Sequence, residues 1–327
     1  MHVLITGAAG MIGRKLTGRL VKNGALNDRA IERLTLTDIV EPEKPGGFGG
    51  KVETIAADLP APGIAQKLAA GRPDTIFHLA GVVSAEAELE FEKGYRVNLD
   101  GTRALLDALR AIGDGYRPRV VYTSSCAVFG APFPDAIPDD FHLTPLTSYG
   151  TQKAMCELLL ADYTRRGFFD GVGLRLPAIC VRPGKPNKAA SGFFSSIIRE
   201  PLAGKDALLP VPESVLHTHA SPRAAASYLI HAAGLSREQL GPRINLTMPG
   251  VCCTVAEQIE SLRRIAGDAV AARIRPAPDA LVARIVAGWP HRFDARRALA
   301  LGFRPEKTFD EIIRIHIDED LGGKIAA

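Results

Sequence analysis

A chain of 327 residues, 46% hydrophobic and 23% charged, has ordinary globular usage and the length for one large domain with an appended lobe. Its 40 basic and 36 acidic residues leave a net charge of +4, too mild for a nucleic-acid surface, and no apolar run approaches the roughly 18 residues of a membrane span. Five cysteines, odd in number and without a Cys-x-x-Cys pair, predict reduced thiols, and a first strand entered at residue 2 leaves no room for a signal peptide, so a cytoplasmic protein is expected.

The first element is a buried strand over 3–6 that closes on Gly7, Gly10 and Gly13, followed by an amphipathic helix from Met11 to about residue 21. That order suits a dinucleotide pyrophosphate, because a sharp strand-to-helix turn aims free N–H groups and the positive end of the helix dipole at a phosphate. Gly7 can take the tight turn, Gly10 lets the backbone approach the ligand, and Gly13 lets the helix pack closely on the strand. Three glycines alone are a weak signal; the strand before and the helix after strengthen it. A second strand, 33–39, carries Asp38 near its tip, where a carboxylate accepts from the adenosine ribose hydroxyls and repels a 2′-phosphate. No Arg follows in Asp38-Ile39-Val40, so NAD is expected rather than NADP. The polar insertion 23–32 accounts for a Gly7-to-Asp38 spacing longer than the usual ~20 residues.

Strands at 51–56, 75–79, 119–124 and 171–176 alternate with helical patterns. Continuous apolar strands separated by helices predict a doubly wound α/β fold with a parallel sheet covered on both faces and ligand at the carboxyl ends of the strands. Asp58-Leu59, His78-Leu79-Ala80-Gly81 and Asn98-Leu99-Asp100-Gly101-Thr102 all fall at such ends, the last opening or kinking a long helix. Taken alone, each reads more readily as structural than as functional; their value lies in their order. The fifth strand ends in Thr123-Ser124-Ser125, with Ser124 read as a plain strand-end hydroxyl and Ser125 as a donor to a substrate oxygen. Tyr149 and Lys153, four apart on one helix, share a face. An ammonium beside a phenol favours the phenolate and makes it a usable base. Tyr-x-x-x-Lys is common by chance; a hydroxyl donor, a tunable base, a cation and a dinucleotide pocket together point to hydride transfer at an alcohol carbon. After residue 180 the pattern breaks into short elements rich in Pro and Gly, so residues 1–180 are expected to form the cofactor domain and 181–327 mainly a smaller, mixed substrate lobe, with one segment able to return to the sheet.

Thr6 to Gly13, Asp38, Asp58-Leu59, His78 to Gly81, Val97 to Thr102, Ser124-Ser125 and Tyr149-Gly150-Thr151-Gln152-Lys153 together resemble the extended short-chain dehydrogenase/reductase family over about the first 180 residues. The resemblance implies a Rossmann domain, NAD as cofactor, and a catalytic trio of Ser125, Tyr149 and Lys153. It implies NAD contacts from Gly7, Gly10, Met11, Ile12, Gly13, Asp38, Asp58, Leu59, Ala80, Gly81 and Asn98. Tyr149 and Lys153 would lie at the nicotinamide ribose, and Pro177 and Ile179 in the loop beside the nicotinamide. A homodimer paired through the faces 97–109 and 158–163 is expected, as in relatives.

Members that act on nucleotide sugars carry an Arg shortly before Val-His-Val-Asp-Asp. Here the matching stretch is Val215-Leu216-His217-Thr218-His219-Ala220-Ser221-Pro222, with no such Arg and Ser-Pro in place of the acids. The stretches 79–95 and 182–223 are instead similar to family members that oxidise the C2 hydroxyl of a four-carbon sugar acid with NAD. A small sugar acid needs cationic or multiply donating groups for its carboxylate. Arg182, Lys185, Asn187, Lys188, His219 and Arg223 lie in the expected lobe, and Arg182, Asn187, His219 and Arg223 are taken as substrate contacts beside Ser125 and Tyr149. His217 and His219 lack a Cys or acid at ligand spacing, so no metal is expected. A nucleotide-sugar epimerase is the alternative enzyme, and a dinucleotide-sensing regulator the alternative outside catalysis, disfavoured by the Tyr–Lys pair.

Overall fold

The computed structural model describes residues 1–184 and 191–326. The structural core is a seven-stranded sheet of β1 (His2–Thr6), β2 (Arg33–Asp38), β3 (Lys51–Ala56), β4 (Thr75–His78), β5 (Arg119–Ser125), β6 (Asp170–Leu176) and β7 (Asn245–Thr247). Their order is β7-β6-β5-β4-β1-β2-β3, and every neighbouring pair runs parallel. β1, β4, β5 and β6 are buried along almost their whole length, which is why they read as apolar runs rather than as alternating ones. The order reverses between β1 and β4, and ligands of such sheets bind outside the strand ends at that reversal.

The connecting helices are α1 (Met11–Asn23), α2 (Ile64–Ala70), α3 (Gly101–Ala111) and α4 (Ser148–Arg165). α1 buries Gly13, Leu16, Thr17 and Leu20 at helical spacing and ends on Gly24, whose φ of 64° closes the last turn onto the Leu20 carbonyl. Leu68 of α2, Leu105 and Leu109 of α3 and Leu160 of α4 pack with Ile76 of β4 and Val120 of β5 in one core. The polar insertion after α1 holds a hairpin not foreseen from the sequence, Ala25–Leu26 against Arg29–Ala30. Asn27 and Asp28 turn it with φ of 51° and 59°, the two positive values a type I′ turn needs.

By contacts the chain divides into two compact units. The first is Met1–Val128, Thr147–Leu176 and Ala226–Thr247; the second is Phe129–Leu146, Pro177–Ala225 and Met248–Ala327. Beyond the one later segment expected to return to the sheet, a single cut at residue 180 leaves out the early crossing of 129–146. Residues 129–146 leave for the second unit early, and β7 returns to the edge of the sheet. The second unit has its own sheet, Ala178–Ile179 parallel to Leu216–Ala220, with Val251–Thr254 antiparallel to the latter. Its core joins Phe193, Phe194, Ile197 and Ile198 to Val255, Leu262, Phe309, Ile312 and Ile313. The helix Val255–Ala266 starts at a reciprocal cap. The Glu257 N–H donates to Thr254 Oγ1 at 3.2 Å, and the Thr254 N–H donates to Glu257 Oε2 at 2.7 Å.

All five cysteines are free thiols, and no helix among the described residues is long and apolar enough to cross a membrane.

Candidate active site

At the β1–α1 turn, close approach dictates the sequence. Gly7 adopts φ +74°, and a Cβ there would lie 2.6 Å from the Ala80 nitrogen. A Cβ on Gly13 would sit 2.3 Å from the Gly7 carbonyl oxygen, so α1 rests directly on the turn. Gly10, exposed, caps α1, and Met11, Ile12 and Gly13 form the first turn, whose N–H groups have no acceptor within the helix. Asp38 at the tip of β2 lies against this turn. Its carboxylate accepts from the Ala9 N–H at 2.9 Å and from the Ile39 N–H at 2.7 Å. A cradle that a Cβ would fill, with an anion at its far side, fits a dinucleotide that carries a free ribose diol. At the end of β3, Leu59 is buried in the core, and Asp58 forms an exposed ion pair with Arg96.

β4 ends on His78, fully buried between two hydroxyls: Nδ1 lies 2.7 Å from Thr6 Oγ1 and Nε2 2.8 Å from Thr102 Oγ1. Burial first, then the nearby Lys153 charge, pushes its pKa down to about 3, so the ring is neutral. Ala80 and Gly81 follow. The predicted kink beyond them is a π-helical turn, Tyr95–Asp100, that swings Asn98 inward. Asn98 Oδ1 accepts from the Val82 N–H at 2.9 Å, and its Nδ2 donates to Gln152 Oε1 at 2.8 Å. A Cβ on Gly81 would fall 2.8 Å from Asn98 Oδ1 and 3.7 Å from Lys153 Nζ, so Gly81, Asn98 and Lys153 converge.

Ser125 closes β5, and its Oγ accepts from the Ala127 N–H at 3.1 Å. α4 packs along β5, started by Thr147, whose side chain accepts from the Gly150 N–H at 3.0 Å. That start puts Tyr149 in the first turn and Lys153 one turn on, its ammonium 5.7 Å from the Tyr149 ring centroid. Lys153 is buried and donates to the Thr123 carbonyl at 2.9 Å. Desolvation lowers its pKa to about 8, opposed by Cys156 and Glu157. Ser124 donates to Glu157 Oε1 at 2.5 Å. Arg175 of β6 grips the same carboxylate, with Nε 3.0 Å from Oε1 and Nη2 2.8 Å from Oε2. Sequence reasoning missed this buried triad; the available signal was a carboxylate one further turn along the face that carries Tyr149 and Lys153.

The expected substrate contacts fare differently. Asn187, with Lys185 and Lys188, lies outside the described residues. Arg182 donates from Nε to the Ile179 carbonyl at 3.0 Å and from Nη2 to Ser191 Oγ at 2.9 Å. Arg223 is exposed and pairs with Glu319 at 2.6 Å. His219 is corrected. It is 0% exposed, enclosed by Phe194, Phe309 and His217, and lies 2.9 Å from Gln258 Nε2. Burial drives its pKa well below the ordinary value, so it is a neutral core residue that presents no charge to an acid. Pro177 and Ile179 are buried in the second unit.

Residues 3–223 match the model of the NAD dependent epimerase/dehydratase family. The D-erythronate dehydrogenase of Cupriavidus necator is 48% identical over 98% of each chain, and that of Haemophilus influenzae is 40% identical over 98% of this chain and 100% of the other. A crystal structure described as the nucleoside-diphosphate-sugar epimerase from Agrobacterium tumefaciens is 62% identical, superposes with a TM-score of 0.97, and covers 100% of this chain and 96% of that one.

The glycine geometry makes a paired prediction. Gly13→Ala must push α1 off the turn and should cost about 1–3 kcal/mol. Gly18→Ala, in the same helix with nothing within 4 Å of its Cβ position, should stabilise by up to ~1 kcal/mol. Equilibrium urea unfolding of the two variants checks the opposite signs.

Proposed function

The chain belongs to the NAD dependent epimerase/dehydratase family, and we propose that within it the protein is a D-erythronate dehydrogenase, oxidising the C2 hydroxyl of that four-carbon sugar acid to the 2-oxo acid. The observation that carries the reading is near-full-length similarity to two D-erythronate dehydrogenases. NAD, when bound, supplies the acceptor for the hydride leaving C2. Gly7, Gly10, Met11, Ile12 and Gly13 would hold its pyrophosphate, Asp38 its adenosine ribose, Asp58 and Leu59 its adenine, and Ala80, Gly81, Asn98, Pro177 and Ile179 the remainder. Ser125 donates to the C2 oxygen and orients it toward Tyr149. Tyr149 takes the hydroxyl proton, and the Lys153 ammonium stabilises the phenolate and would hold the nicotinamide ribose when NAD is bound. Arg182 and Arg223 are the proposed carboxylate contacts, with Arg223 already part-neutralised by Glu319. Five free thiols, four of them buried, support work in a reducing, cytoplasmic compartment.

The name of the Agrobacterium relative favours a second reading, an epimerase of nucleotide sugars. The segment 215–222 argues against it: it lacks the Arg and paired acids of nucleotide-sugar enzymes, and its two histidines are buried among Phe194, Trp289 and Phe309. With D-erythronate and NAD, stoichiometric build-up of NADH absorbance is expected. Conversion of a nucleotide sugar without net NADH would replace this reading with the second. Tyr149→Phe should abolish turnover while leaving NAD affinity within a few fold, and near-wild-type turnover would remove Tyr149 from the mechanism.

Cofactor choice follows from Asp38. A 2′-phosphate would meet its carboxylate at contact distance, at a cost on the order of a few kcal/mol, or ~100-fold or more in favour of NAD. Asp38→Ala should weaken NAD and improve NADP, read as the ratio of kcat/KM values. Equal use of both cofactors by the unaltered protein would show that Asp38 does not discriminate.

We also propose a homodimer. Leu158 on the outer face of α4 is 63% exposed, an apolar group suited to a partner helix, whereas Leu105, Leu106 and Leu109 of α3 are spent in the chain's own core. Light scattering at micromolar concentration should give twice the 34.9 kDa chain mass; a monomeric mass overturns the proposal.

A further inference from the structure

Lys153 acts in the proposed mechanism only if its ammonium stays charged and in place while buried. Three N–H groups must be satisfied, and the Thr123 carbonyl takes one of them. The groups that face it can be sorted by charge. On α4, Cys156 is held neutral by burial, and Glu157 is gripped by Arg175 and Ser124. Tyr149, the proposed base, is the group Lys153 serves. On β4, His78 is a neutral ring. On β5, Tyr122 places its ring under the ammonium, 4.8 Å from Nζ to centroid. Tyr122 lies across from His78 on the neighbouring strand, is 1% exposed, and is kept protonated by burial.

A buried aromatic face carries negative potential and attracts a desolvated cation more strongly than an exposed one does. With the carboxylate engaged elsewhere, that face and the Thr123 carbonyl are fixed negative groups in contact with Nζ. We propose that Tyr122 is a positioning residue, its ring face holding the Lys153 ammonium charged and aimed at Tyr149. The inference rests on the dehydrogenase reading for its effect on rate, not for its effect on Lys153.

The test replaces Tyr122 with phenylalanine and with its mono-, di- and trifluorinated analogues, which drain the negative face at nearly constant shape and so keep the fold. One readout is the titration of the Lys153 13Cε resonance, assigned by its loss in Lys153→Met. The other is the pH of half-maximal NADH formation. The Lys153 midpoint should fall stepwise with fluorination, by about half a pH unit or more across the series. The half-maximal pH should rise in parallel, because a less protonated lysine stabilises the phenolate less. A Lys153 midpoint that stays constant to about 0.1 unit overturns the proposal, whether or not the rate profile moves. A starting protein that forms no NADH would count against the dehydrogenase reading, while the resonance still decides on Tyr122.

Discussion

Taking an ammonium out of water costs several kcal/mol unless its surroundings replace the lost solvation, and the carboxyl end of the sheet is built around meeting that cost for Lys153. A strand carbonyl and an aromatic face touch the charge directly. Behind them, Glu157 adds negative field while Arg175 holds its carboxylate, so the three buried groups Lys153, Glu157 and Arg175 together carry one net positive charge. β4, β5, β6 and α4 each contribute to the arrangement. A shift of α4 or β6 would separate Glu157 from Arg175, and a shift of α4 or β5 would take the Thr123 carbonyl and the Tyr122 face from Lys153. The electrostatics therefore add to apolar packing in fixing these elements.

The dinucleotide end of the sheet is constrained by proximity rather than charge. α1 lies against the β1 turn so closely that only hydrogen fits at Gly7 and Gly13. Asp38 reinforces the turn by accepting from the Ala9 N–H. The group proposed to read the ribose therefore also shapes the loop proposed to hold the pyrophosphate, so one carboxylate would serve both.

The second unit uses its histidines for packing. His217 stacks on Phe194 with their rings 2° apart and 5.2 Å between centroids, and His219 meets Phe194 and Phe309 edge-on. Burial keeps both neutral, His217 with its pKa pushed down to about 4. A segment where the family's nucleotide-sugar pattern has charged residues is here an aromatic-lined strand that presents no charge.

Local pattern carried the α/β class, the six strands of the first 180 residues, the glycine turn, Asp38 and the Tyr149–Lys153 pair, because strand burial and helical spacing repeat over a few residues and leave their period in the chain. Spacing places Glu157 one turn beyond Lys153, but it could not join that residue to Arg175 and Tyr122. They lie on different elements, and only the parallel register of β5 and β6 and the packing of α4 bring them together. The same limit applies to His219, which the sequence offers as a substrate contact and which Phe194 and Phe309 enclose. It also explains the interleaved units, where 129–146 and 226–247 follow their packing partners rather than their sequence neighbours. A chain specifies its periodicity residue by residue; which side chains lose their water is decided by what packs against them, and that is a property of the tertiary structure alone.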